Sequence, residues 1–148
     1  MEVSFYHLTS LPLERALPRL VEKIYATGAK VVIFFEHKEQ LERIDEVLWT
    51  YGQMDFLPHG TFLEKYPEKQ PIYLTTTDEN PANASILIQI GQKVHSSFKS
   101  FTRIVDMFEN SNPLSVQSAR DRYKRYKQEG HTLTYWKQDA EGKWKQEA

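Results

Sequence analysis

The chain of 148 residues contains no cysteine. Disulfide bonds, thiolate catalysis and cysteine-ligated metal sites are excluded together, and a reducing compartment fits this composition. Charge of one sign is missing too. Nineteen basic residues face twenty acidic ones, for a net charge of −1 and a pI near 6.5. A chain so balanced does not coat nucleic acid by bulk electrostatics, so any anion site must be a local patch. No segment approaches the roughly 20 apolar residues of a membrane span. The opening residues MEVSFYHLTS lack the basic start and apolar stretch of a secretory signal. A cytoplasmic protein is expected, and its length suits one domain over residues 1–148.

Glycine is scarce, with six in all, and its placement is informative. Val3 to Leu8 reads as a first strand, and Leu13, Leu17, Leu20 and Ile24 recur at helical spacing up to Gly28. Pro18 complicates that helix: it either kinks after a start at Leu13 or begins its regular part near Leu17. Lys30 to Phe35 is an apolar strand covered on both sides, and Leu41, Ile44, Leu48 and Tyr51 form a second helical stripe closed by Gly52. Two strand-then-helix units in succession predict parallel strands joined by crossovers. A weaker stretch follows, with MDFLPHG and PIYLTT as short strands among prolines. Ala84 to Ile90 and Phe101 to Phe108 are buried strands. His131 to Trp136 closes the sheet and pairs with a short return around Trp144.

An α/β sheet invites a nucleotide, which needs glycines in the first strand-to-helix turn so that backbone amides can approach a phosphate. The turn here is Thr9, Ser10, Leu11, Pro12. Nucleotide binding there is not expected, and fold class alone licenses no activity. The five histidines, His7, His37, His59, His95 and His131, are scattered singly, without metal-ligand spacing. Asp45 with Glu46 reads as an ordinary helix surface pair, and no nucleophile elbow occurs. No catalytic residue, cofactor or metal is expected.

What the sequence does offer is concentrated between Phe101 and Lys127. Asn112 and Pro113 open a helix, Asn as the cap and Pro at the first position, and Gly130 stops it. Val116, Ala119, Tyr123 and Tyr126 line one face of that helix, and Arg120, Lys124 and Lys127 fall beside it. Five basic residues (Arg120, Arg122, Lys124, Arg125, Lys127) stand against one acid, Asp121. Such a strip is either a solvated helix face or a dock for an anion with an apolar end. Candidates for the second are a nucleic-acid backbone and an acidic peptide tail ending in hydrophobic residues. Trp49 lies some 130° from the centre of its helix's core stripe. Phe56 and Leu57 extend the same patch, which is either an interface or a surface covered by the loop from Thr61 to Gln70.

The pieces FYHL, KVVIFFEHKEQLERIDEVLW, FLPHG, ILIQI, FTRIVDMF and SARDRYKRYKQEGHTL occur in this order over nearly the whole chain. In order and spacing they resemble the chi subunit of the bacterial DNA polymerase III clamp-loader complex. The resemblance implies a single Rossmann-like α/β domain with a mostly parallel sheet flanked by helices, and no catalytic activity. It implies two partners: the acidic C-terminal tail of single-stranded DNA-binding protein, and a psi subunit that ties chi to the clamp loader. By position the tail site maps onto Phe108, Arg120, Tyr123 and Lys124, flanked by Lys127, and the psi-facing surface onto Trp49 and Phe56. Chi proteins often carry another basic residue a turn before Arg120, where this chain has Val116. The alternative is direct binding of single-stranded nucleic acid by the basic helix over residues 113–129.

Overall fold

Apolar side chains on alternate positions fill both faces of the strands, so each strand needs cover above and below. The computed structural model describes residues 1–50, 58–61, 67–91, 94–95, 98–110 and 113–147. In chain order its strands are β1 (Glu2–Leu8), β2 (Val31–Phe35), β3 (Ile72–Thr75), β4 (Ile86–Ile90), β5 (Arg103–Glu109), β6 (Thr132–Gln138) and β7 (Trp144–Gln146). They form one seven-stranded sheet in the order β3-β2-β4-β5-β1-β6-β7. Every pairing is parallel except the terminal one, where β7 returns antiparallel along β6.

Helices α1 (Leu13–Ala26) and α2 (Lys38–Thr50) cover one face of the sheet, and α3 (Pro113–Gln128) covers the other. Successive strand residues point to opposite faces. Val31, Ile33 and Phe35 therefore join Leu17, Val21, Ile44 and Leu48 in the first core, while Val32 and Phe34 join Ala119 and Tyr126 in the second. Each such Val, Leu, Ile or Phe side chain taken from water is worth roughly 1.5–3 kcal/mol before the cost of ordering it. The mixed α/β, mostly parallel architecture is the one expected from the sequence.

Local departures have physical reasons. Of the two starts open to α1, the structure adopts Leu13, and one continuous helix carries Pro18 in its interior. Pro18 gives up one amide bond there but is buried. β2 and β4 begin one and two residues later than the apolar runs suggest. Asp45 is not a plain surface acid, because its carboxylate lies 3.0 Å from Nε2 of the buried His59. Gly60 makes an isolated parallel bridge to Tyr73 just after the MDFLP stretch. The expected cap Asn112, the stripe end Tyr51 with Gly52, and Phe56 with Leu57 lie outside the described residues.

Candidate functional site

Helix α3 is held on the sheet by an ion pair that the sequence does not announce. Asp106 points from the middle of β5 into the second core, level with Gln89 on β4 and Phe5 on β1. Arg122 reaches it with both ends of its guanidinium, Nε to Oδ2 at 2.6 Å and Nη2 to Oδ1 at 2.9 Å, while Nη1 donates to Ser118 Oγ at 2.6 Å. Burial pushes the Asp106 carboxyl up from its ordinary range, and the guanidinium opposes it. Arg122 is thus an internal strut, and Arg125 pairs with Glu129 at 3.3 Å. The five cations of the sequence reduce to three that point elsewhere.

Those three are Arg120, Lys124 and Lys127. All are exposed and, among the described residues, none forms an ion pair. At about 100° per residue they fall within about 60° of one another on the helix. The helix ends sharply past them. Gly130, at φ +85°, lets His131 N donate to Tyr126 O and Gly130 N to Lys127 O, closing the last turn in a Schellman arrangement. The chain then enters β6 alongside β1.

That return assembles an aromatic layer next to the cations. Tyr123 lies 5.4 Å from Phe5 and 6.3 Å from Tyr135, and Tyr135 lies 6.3 Å from Phe108. The His7 ring stacks on Phe108 at 4.6 Å. Phe108 is consequently only 5 % exposed, so it acts as a floor beneath His7, and the half-buried Tyr123 and Tyr135 present the accessible apolar surface. Asn110 Oδ1 accepts from His7 Nε2 at 2.9 Å, and His7 Nδ1 accepts from the Tyr135 hydroxyl at 2.7 Å. Both bonds suit the neutral ring protonated on Nε2. Burial lowers the His7 pKa, the Asn110 bond opposes that, and the positive charges of Lys137 and Arg120 lower it further. Arg120 also pulls the Tyr135 pKa down against the upward push of burial. Arg120 on α3 and Lys137 on β6 are therefore close enough for their charges to be felt in this layer.

On the other side of the sheet, Trp49 is 53 % exposed on α2, with the His59 ring 4.6 Å away. The turn after β1 has its own occupant. Gln138 Oε1 accepts from the amides of Thr9, Ser10 and Leu11, each at 3.1 Å. Three converging amides are what a phosphate would require at this place in an α/β fold, and a side chain of the protein itself holds them. Among the described residues no group of three or more His, Asp or Glu could hold a metal ion, and no helix is long and apolar enough to cross a membrane.

A family model described as DNA polymerase III chi subunit, HolC, matches residues 1–134. The chain belongs to that family. Relatives agree with this placement. A probable DNA polymerase III subunit chi of Rickettsia prowazekii is 36 % identical over 126 residues, covering 78 % of this chain and 76 % of its own. The subunit chi of Haemophilus influenzae is 32 % identical over 134 residues, covering 88 % and 92 %. That of Escherichia coli is 27 % identical over 122 residues, covering 82 % of each.

Within this chi-family chain, the structure brings Phe108, Tyr123 and Arg120 to one place and leaves Lys124 and Lys127 on the same exposed flank. Trp49 sits apart on the opposite layer. Sequence reasoning missed His7, Asn110, Tyr135 and Lys137, which come from β1, β6 and the end of β5. One signal was available: if β1 and β6 are neighbours in register, Phe5 meets Tyr135 and His7 meets Lys137.

Proposed function

We propose that this DNA polymerase III chi-family chain is a non-catalytic accessory subunit that grips the acidic C-terminal tail of single-stranded DNA-binding protein on α3. A psi-type subunit joins it through the surface around Trp49, so that the chain bridges the clamp loader to DNA-bound protein. One observation carries the reading: three cations of α3 that form no ion pair among the described residues stand beside a half-open aromatic layer, which Tyr123 of α3 shares with Tyr135 and Phe108 of the sheet. Carboxylates of the tail meet Arg120 and Lys124 through charge-assisted bonds, and its terminal apolar side chain rests against Tyr123 and Tyr135 above Phe108. Val116 packs partly buried against the core, so the cationic strip begins at Arg120.

Titration calorimetry with an acidic peptide ending in Phe tests the tail site. Arg120→Ala and Lys124→Ala should each weaken binding by about tenfold, and added salt should weaken it in the parent chain. Unchanged affinity in both variants ends the proposal. Direct binding of single-stranded nucleic acid by α3 is the weaker reading, because Arg122 and Arg125 are already engaged.

A further inference from the structure

The first face of the sheet is not covered evenly. Helices α1 and α2 lie over β1 to β5, whereas β6 and β7 contribute no buried residue to that core. Beyond the reach of those helices, the outward side chains of β6 and β7, with Trp144 partly buried against the edge of the core, form a floor beside the flank of α1. The result is an open trough of about 660 Å³, with Arg19 and Lys23 from α1 on one wall and Lys143 from the β6–β7 turn on the other. Such a volume lies within the range of small-ligand clefts.

The floor is aromatic. Tyr6 on β1 and Trp136 on β6 are register partners whose rings lie 6.2 Å apart and within 10° of parallel. Trp144 on β7 stands at 90° to Tyr6, 5.0 Å away, as an upright end wall. Three cations line this space against one acid, Glu22, and among the described residues none of the three is in an ion pair. Gln138, 6 % exposed, lines it as well; its Oε1 is spent on three amides, while its Nε2 has no partner.

We infer that this trough binds a short run of single-stranded nucleic acid, with bases on the Tyr6–Trp136 floor and phosphates at Arg19, Lys23 and Lys143. Aromatic rings flanked by cations are the arrangement by which single strands are held without sequence preference. Arg19 and Lys23 are one helical turn apart, about 6 Å along the axis, so they address successive phosphates of an extended strand. An acidic peptide would satisfy the cations but leave the aromatic rings without a stacking partner. The inference does not depend on the tail site on α3.

The test uses the full chain and a short oligothymidylate, read by quenching of tryptophan fluorescence and by anisotropy of a labelled strand. Saturable, salt-weakened binding is expected, and it should persist in Trp49→Phe. Trp136→Ala should weaken it about tenfold or more, and the surface pair Arg19→Glu with Lys23→Glu should do the same without disturbing the fold, as thermal unfolding will verify. Arg120→Glu with Lys124→Glu should leave it unchanged. Absence of saturable binding overturns the inference. So does full affinity in the Arg19/Lys23 variant, loss confined to the Arg120/Lys124 variant, or displacement of the strand from the trough by an acidic peptide that binds there more tightly.

Discussion

His7 shows how a single side chain can serve both the core and a surface. It is 6 % exposed, stacked on Phe108 and bonded on both nitrogens. Its folded pKa lies below the ordinary value near 6.5, chiefly through burial, with the charges of Lys137 and Arg120 acting in the same direction and the Asn110 bond against. A histidine lowered in the folded state binds its proton first in the unfolded chain. Stability is therefore complete above the unfolded pKa and is lost as pH falls through it towards the folded one. Unfolding in urea at about pH 7.5 and about pH 5.5 should show a larger loss for the parent chain than for His7→Gln, which keeps a donor and an acceptor but does not titrate. The other four histidines are present in both proteins, so they cancel in the comparison. Equal pH dependence would mean that His7 is not held neutral by its surroundings.

At the scale of elements, α3 shows what could and could not be read in the sequence. Its existence, its start at Pro113, the stop at Gly130 and the face formed by Ala119, Tyr123 and Tyr126 were legible, because periodicity and caps are local signals. The roles of its five cations were not. Arg120 and Arg122 are alike in sequence, and only a partner sixteen residues upstream on another element separates them. A trace of that partner did exist: Asp106 interrupts an otherwise apolar strand, RIVDMF, as Gln89 interrupts ILIQI. An acid in a strand covered on both faces must find a cation, and the nearest helix over that face is where to look. Breaking the pair should cost about 3–5 kcal/mol in Arg122→Met, since Asp106 is left buried without its counter-charge. The double variant Asp106→Leu with Arg122→Met should recover most of that loss. Denaturant unfolding that places the single variant within about 1 kcal/mol of the parent would show the pair to be a minor anchor.

For the whole molecule, the sheet decides how the proposed surfaces relate. Trp49 belongs to the α1–α2 layer and Arg120 to the α3 layer, with the full sheet between them. Sheet and helix layers pack about 10 Å apart, so no side chain of one surface touches the other. The element joining them is one continuous, mostly parallel sheet with a single register at each pairing, and that pairing offers no second arrangement that a ligand on one side could select. Coupling between the sites should accordingly be small, and a bridge gains from this, because either partner can leave without releasing the other. Saturating the α3 site with the acidic peptide should leave the affinity for a psi-type subunit within about twofold, and the reciprocal titration must agree. Trp49→Ala should abolish the psi-type interaction while keeping peptide affinity, and its effect should add to that of Arg120→Ala within about 0.5 kcal/mol. A change of more than about fivefold on peptide addition would mean that the two layers communicate, and the chain would then be a switch between partners.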